Sequence, residues 1–403
     1  MLPREMYMRR IRPFIGNDLI KVISGIRRCG KSVMLSLIQK EIRDTGVSEN
    51  NFISINFENM STAGLASAEA LRQEILTRAG KMQGKVYLFL DEIQEVDHWE
   101  RCINSLRLEL DCDIYITGSN AKLLSGELAT YLAGRFVEFV IYPFSFAEFL
   151  AMSAALGNKT STQEAFREYL TWGGMPFLYH LLRDEDAVTQ YLRDIYNSVV
   201  LKDIVHRYRI RDVDLLERII SYLVANIGTE ISANSLSKYF RSEGRTVSTE
   251  TILNYINACE NSFLFYRVRR QDIQGKRLLA SNEKFYIADH GIREVIYGGN
   301  TRDIQLVLEN IVYLEMLRRG YQVTIGKTAG KEIDFVCEKR GEKMYLQVAY
   351  LLASEETIQR EFGVYAHLSD NYPKYVLSLD EFDMSRDGIK HENIRDFLLK
   401  NLD

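Results

Sequence analysis

Short, almost wholly apolar runs recur through the first third of the chain. Leu19-Ile20-Lys21-Val22-Ile23, Val86-Tyr87-Leu88-Phe89-Leu90, Asp113-Ile114-Tyr115-Ile116-Thr117 and Phe136-Val137-Glu138-Phe139-Val140-Ile141 read as strands. Such runs suit strands covered on both faces, as in a parallel sheet between helices. Val33 to Ile38 opens a helix, and Ala121 to Ala133 is amphipathic. Farther on the period changes. Apolar residues three and four apart predict helices over Thr162–Leu182 and Ala187–Tyr208, with the stretch from Ala151 to Thr160, containing Gly157 and Asn158, as the connection into them.

From about Asp212 to Gly298 the pattern is short helices and then a hairpin. Asn234–Phe240 reads as one helix and Ser248–Phe263 as a second, N-capped within Ser248-Thr249-Glu250-Thr251. Two strand-like runs follow, Leu264–Arg270 and Lys284–Asp289, separated by a polar loop. The last segment carries a helix over Leu306–Arg319 and strands at Glu332–Val336 and Met344–Tyr350. The pattern predicts an α/β protein in four parts: 1–150, 151–210, 211–298 and 299–403.

Composition agrees. A chain of 403 residues exceeds what one hydrophobic core usually supports, and 46% hydrophobic content with 5 prolines indicates a folded protein. A net charge of −4 excludes a globally basic nucleic-acid coat, so any nucleic-acid surface is local. The 5 cysteines lack metal-ligand spacing and point to reduced thiols. No signal peptide or membrane-length apolar run appears, so the expectation is a cytoplasmic protein without a membrane partner.

The first of these strands leads into Gly25-Ile26-Arg27-Arg28-Cys29-Gly30-Lys31-Ser32, a complete G-x-x-x-x-G-K-S phosphate-binding loop that opens a helix. Two glycines let backbone N–H groups approach phosphate oxygens, Lys31 reaches the β- and γ-phosphates, and Ser32 reaches Mg²⁺. Gly25, Arg28, Gly30, Lys31 and Ser32 are therefore the candidate nucleotide ligands, with ATP and Mg²⁺ as cofactors. Basic residues crowd this region, among them Arg4, Arg9, Arg10, Arg12, Lys21 and Arg27, and some of that charge could face the nucleotide.

The second strand ends in Asp91-Glu92. Asp91 emerges where it can hold the Mg²⁺ shell, and Glu92 where it can orient and deprotonate a water. Acidic pairs after apolar runs are common, so the pair gains its meaning from the loop upstream. Asn120, after the third strand, is a candidate for positioning the attacking water, and equally ordinary turn composition. Arg135 suits a finger that neutralises transition-state charge, often in a neighbouring subunit, or else a surface ion pair.

These motifs give the chain a resemblance to AAA+ ATPases. More narrowly, it resembles the bacterial and archaeal members that carry a winged helix and a C-terminal restriction-endonuclease-like module of unknown function. Leu90-Asp91-Glu92-Ile93-Gln94, Ile116-Thr117-Gly118-Ser119-Asn120, Pro143-Phe144-Ser145-Phe146-Ala147-Glu148-Phe149 and Trp172-Gly173-Gly174-Met175-Pro176 carry that match beside the phosphate loop. The resemblance implies a P-loop core with a parallel sheet, a helical lid over 151–210, a winged helix over 211–298 and a nuclease-like domain over 299–403. It also implies ATP hydrolysis by Asp91 and Glu92, sensing by Asn120 and a finger at Arg135; a finger acting in a neighbour's site would require a homo-oligomer, and the sequence itself leaves the oligomeric state open.

In the winged helix, Arg267, Arg269, Arg270, Lys276 and Arg277 are candidate phosphate contacts for DNA, although such modules also bind protein and charge runs are usually solvated. In the last domain Glu309, Asp334 and Gln347 occupy the places of acid, acid and E-x-K. Gln347-Val348-Ala349 lacks both the second carboxylate and the lysine, so a degenerate site without cleavage is expected. Three readings stay open: a remodeller or regulator of a nucleic-acid or protein complex, an ATP-gated nuclease, and a signalling switch with protein partners. A small-molecule P-loop kinase has no use for Glu92, Asn120 or the appended modules.

Overall fold

The computed structural model describes residues 2–121, 134–158, 160–181, 184–273, 277–328 and 330–400. Two compact units result, residues 1–141 with 261–263, and the rest of 142–403.

The first unit is built on β1 (Ile20–Ser24), β2 (Phe52–Asn56), β3 (Val86–Asp91), β4 (Cys112–Gly118) and β5 (Phe136–Val140), with α1 (Glu5–Ile11), α2 (Lys31–Asp44), α3 (Ala68–Ala79) and α4 (Trp99–Glu109). The five strands lie in the order β2-β3-β4-β1-β5, every pair parallel. β1 and β4 are buried along their whole length, as their unbroken apolar runs predict. Val22, Leu88, Leu90, Ile114 and Ile116 join Leu71, Ile75, Ile103 and Leu106 of α3 and α4 in one core. All five strand ends that follow the chain direction share one edge, the position where open α/β sheets bind ligands.

Much of the basic charge near the N-terminus is neutralised internally. Lys21 and Asp113, both fully buried, form an ion pair, and Arg12 pairs with Glu5 and Glu41. Arg27 donates to Glu58 at 2.6 Å, and Arg4 to the Cys29 carbonyl at 3.0 Å.

The second unit starts with α5 (Phe146–Ala155), α6 (Thr162–Trp172) and α7 (Glu185–Ser198), the last continuing as a π-helix over Val199–His206. A capping box of Ser145 and Glu148 starts α5, so helix occupies half of the stretch read as a connection. The helix predicted to Leu182 stops at Trp172, because Gly173 takes φ 77° and Pro176 follows.

Next come α8 (Val213–Ala225), β6 (Glu230–Ile231), α9 (Ala233–Ser242), α10 (Thr249–Asn261), β7 (Phe265–Asp272), β8 (Arg277–Ile287) and α11 (His290–Tyr297). Ser248 caps α10, accepting from the Thr251 amide at 3.1 Å. The chain ends with α12 (Ile304–Arg318), β9 (Gln322–Thr328), β10 (Lys331–Lys339), β11 (Glu342–Val348), α13 (Glu355–Gly363), β12 (Lys374–Ser378), β13 (Lys390–Asn393) and α14 (Ile394–Leu399).

Eight strands form one mixed sheet in the order β13-β12-β11-β10-β9-β7-β8-β6. β7 pairs with β8 antiparallel on one side and with β9 parallel on the other. The boundary drawn at 298/299 therefore does not separate two sheets. No described helix is long and apolar enough to cross a membrane.

Candidate functional site

The register of the first sheet assembles the site. β2 aligns Asn56 with Asp91, and β3 aligns Leu90 with Ile116, which sets Thr117 beside Asp91. Thr117 Oγ1 donates to Asp91 Oδ1 at 2.5 Å and accepts the Glu92 amide at 2.9 Å. Asn56 Nδ2 holds the other Asp91 oxygen at 3.1 Å. The Ser32 side chain also hydrogen-bonds Asp91, so the two candidate Mg²⁺ ligands meet. Burial pushes the Asp91 carboxyl above its ordinary value, opposed by the hydroxyls of Thr117 and Ser32.

Lys31 is buried at the start of α2, where the helix presents its unpaired N–H groups. Its ammonium contacts the Gly25 and Ile26 carbonyls at 3.2 and 3.4 Å and Glu92 Oε1 at 3.3 Å. Glu92 sits in a left-handed turn, φ 57°, a costly conformation that lifts its carboxylate off the end of β3. Gln94 Nε2 donates to Glu92 Oε2 at 2.5 Å. Burial raises the Glu92 carboxyl, but Lys31 and Gln94 outweigh it and hold the group below the usual glutamate value.

The glycines also answer to the chain itself. A Cβ on Gly25 would lie 2.2 Å from the Ile141 carbonyl, so the chain after β5, and not only a phosphate, demands glycine here. Gly30 takes φ 104° to turn the loop into α2, and Arg28 takes φ 68° with its side chain exposed. Cys29 is buried, which raises its thiol and suits packing. The residues present fit a nucleotide with Mg²⁺: a lysine, a helix N-terminus, and a serine and an aspartate converging from two elements.

Asn120 is buried just past β4, between the strands that carry Asp91 and the loop. Arg135 lies at the opposite end of the sheet. Phe136 pairs with Ile20 while the loop begins after Ser24, four residues on, or about 13 Å along a strand. Its guanidinium donates to Asn104 at 3.3 Å. A finger from Arg135 to its own nucleotide is thus excluded by the strand direction. The helix read over Ala121–Ala133 lies, from Lys122 onward, outside the described residues.

In the second unit the candidate DNA contacts divide. Arg267 is engaged by Glu260, by Asn257 at 2.7 Å and by Glu283 at 3.3 Å. Arg270 is buried between Glu230 and Glu332, at 2.8 and 3.4 Å, which corrects the expectation that it faces phosphate. β9 lies alongside β7 at that position. Arg269 is exposed. Lys276 lies outside the described residues, and Arg277 begins β8.

Glu309, Asp334 and Gln347 do converge. The Gln347 carboxamide accepts from the Asp334 amide at 3.2 Å, and Asp334 accepts from the Val348 amide at 2.8 Å. Two charges absent from the 347–349 motif arrive from elsewhere. Lys284 of β8 bridges Glu309 at 3.1 Å and Glu332 at 2.8 Å, and Glu361 of α13 accepts from Gln347 at 2.9 Å. Tyr286 also bonds Glu309. Burial opposes the Lys284 charge, but Glu309, Asp334 and Glu332 overcome it and hold the ammonium protonated. Burial and Glu309 push Asp334 well up. Among the described residues no cluster of histidine, cysteine, aspartate or glutamate is arranged to hold a metal.

A family model described as an AAA domain matches residues 17–150, and a domain of unknown function matches 163–303. An uncharacterized protein of Haemophilus influenzae is 38% identical over 99% of both chains. One from Methanocaldococcus jannaschii is 30% identical over 86% of this chain and 78% of its own. The chain belongs to one family with these proteins. The AAA-domain match covers most of its first unit. The Walker-type ATPase of Pyrococcus abyssi shares the fold, with a TM-score of 0.53 at 16% identity over 73% of this chain and 96% of that one. This AAA-domain protein thus has a P-loop core with a parallel sheet, joined in sequence to a mixed-sheet unit.

Proposed function

We propose that this AAA-domain protein hydrolyses ATP at the loop 25–32 and the Asp91-Glu92 pair, and uses the cycle to remodel or regulate a protein complex. The observation that carries the reading is the convergence of Lys31, Ser32, Asp91 and Glu92, with Thr117 and Asn56 fixing the aspartate. Mg²⁺ held by Ser32 and Asp91 would supply charge neutralisation on the phosphates. Lys31 binds the β- and γ-phosphates, drawing its ammonium from Glu92. Glu92 then loses the counter-charge that depresses it, becomes more basic, and takes the proton of the attacking water. Asn120, from the adjoining strand end, is the candidate for contacting the γ-phosphate side. Arg135 serves only if a second copy presents it to this site.

The partner is read from the second unit. The order α8, β6, α9, α10, β7, β8, with β6 antiparallel to β8, supports a winged helix. α10, which would be its groove-entering helix, holds no lysine or arginine and carries Glu250 and Glu260. With Arg267 and Arg270 paired internally, this surface suits protein better than a phosphate backbone.

The test separates binding from chemistry. Lys31→Ala should weaken ATP binding, while Glu92→Gln should keep binding and lower turnover by about 10²-fold or more. Unchanged turnover in the Glu92→Gln protein removes Glu92 from the mechanism.

A further inference from the structure

Gln94 stands two residues past Glu92, in the single turn Ile93–Glu95 that follows β3. Its Nε2 donates to Glu92 Oε2 at 2.5 Å. A carboxylate only accepts, so the amide nitrogen is the atom facing it, and Oε1 is left as an acceptor. That oxygen is buried and meets no donor among the described residues. A buried acceptor left open is costly, which makes one beside Glu92 a feature needing a partner. Within a carboxamide, nitrogen and oxygen are about 2.2 Å apart, so Oε1 lies within about 5 Å of Glu92 Oε2. Oε1 is closed to solvent in this arrangement, so a water donating to both oxygens spans that gap only after neighbouring side chains shift, as Lys31 does when it turns to phosphate.

We propose that Gln94 and Glu92 together hold the attacking water, which donates one O–H to Glu92 and the other to Gln94 Oε1. This rests on the ATP-hydrolysis reading. As the water oxygen bonds to the γ-phosphorus, the bond from that phosphorus to the β,γ-bridging oxygen breaks. The proton passes to Glu92 and then to the departing phosphate, so ADP and inorganic phosphate leave and the carboxylate is restored. Gln94 neither gains nor loses a proton. It removes the rotational freedom of the nucleophile, so its contribution is one of orientation. The same carboxamide holds Glu92 through Nε2, so base and nucleophile share one support.

Gln94→Met keeps the length and packing of the side chain and removes both hydrogen-bonding groups. We expect kcat for ATP to fall about 10- to 100-fold with KM within twofold of wild type. Two analogues give a second readout. ADP with beryllium fluoride imitates the bound γ-phosphate without the attacking water. ADP with aluminium fluoride includes that water's position. The variant should bind the first like wild type and the second about 10- to 100-fold more weakly. Gln94→Glu, which keeps an acceptor but sets a second carboxylate against Glu92, should be impaired as much or more, and serves if the methionine variant melts early.

Wild-type turnover in the Met and Glu variants, or equal weakening of both analogues, overturns the water-holding role while leaving ATP hydrolysis intact. Absence of turnover in the wild-type protein, or full turnover in Glu92→Gln, defeats the underlying reading and this inference with it.

Discussion

The Gly173-Gly174 turn is fastened by a buried carboxylate whose titration is opposed by its neighbour. Asp289 Oδ2 accepts from the Gly174 amide at 2.7 Å and Oδ1 from the Gly291 amide at 2.9 Å. His290 Nε2 donates to the Tyr169 carbonyl at 2.5 Å. Burial pushes Asp289 up from 3.8 to about 6 and His290 down from 6.5 to about 4. For Asp289 the folded state binds the proton more tightly, so its share of stability is lost as pH rises from about 4 to about 6. For His290 the unfolded state binds the proton more tightly, so stability is lost as pH falls from 6.5 to about 4. At 1.36 kcal/mol per unit each effect is about 3 kcal/mol, of opposite sign over nearly the same window. The pair should leave wild-type stability almost level there. Asp289→Asn removes the falling arm, so stability relative to wild type should climb by about 3 kcal/mol between pH 4 and pH 6. His290→Gln should produce the reverse slope. Each substitution also carries a pH-independent cost from disturbed hydrogen bonds, so the slope is the measurement and the offset is not. Urea unfolding of the three proteins at half-unit pH steps, followed by circular dichroism, gives the slopes. A relative stability that is flat within about 0.5 kcal/mol for both variants would refute the opposed titration.

Gly174→Ala places a Cβ 2.2 Å from the Phe144 carbonyl oxygen, with backbone on both sides unable to yield, and should cost about 2–4 kcal/mol, read as a lowered unfolding midpoint. If Arg135 acts in a neighbour's site, mixing Arg135→Ala with Glu92→Gln protein should restore part of the turnover, and no restoration with a monomeric wild type would assign Arg135 to its bond with Asn104. Duplex DNA titrated against salt should give a slope that Arg269→Ala leaves unchanged; a decrease of about one would return a phosphate contact to the hairpin. DNA incubated with Mg²⁺ or Mn²⁺ should remain intact, and cleavage that disappears in Asp334→Ala would restore the ATP-gated nuclease.

The candidate nucleotide site is legible as far as its chemistry lies in contiguous motifs at strand ends, where one apolar run fixes both the strand and the residue that emerges from it. Thr117 and Asn56 could not be assigned this way. Their roles depend on the parallel register of β4 and β2 against β3, which no local pattern encodes. Gln94 lay inside a quoted motif, yet its signal is an unfilled acceptor, visible only with neighbours in place. Arg270 misled for a related reason: its basic run reads as solvent-facing until Glu230 and Glu332, far from it in sequence, meet its guanidinium. Gly173 and Gly174 are explained only by Asp289, over a hundred residues away in sequence, which accepts from the Gly174 amide and lies where a Cβ on Gly173 would fall.

The two units use the same pair, lysine with glutamate, to opposite ends, and the surroundings of each ammonium decide which. Among its contacts, Lys31 meets Glu92 at 3.3 Å and the Gly25 and Ile26 carbonyls at 3.2 and 3.4 Å, each longer than a strong charge-assisted bond. On the proposed function, phosphate oxygens offering more charge at shorter range would draw that ammonium away from Glu92. Lys284 has two carboxylates, at 3.1 and 2.8 Å, with Asp334 adding to the field, and Tyr286 holds Glu309 from another side. Removing such an ammonium would strand buried negative charge, at a cost of several kcal/mol. A divalent cation entering there would have to displace a charge already bonded in place and lose its own hydration. The acidic cluster of the second sheet is therefore best understood as carrying its cation within the chain, on β8. That accounts for how Glu309 and Asp334 persist side by side with no metal-binding arrangement among the described residues.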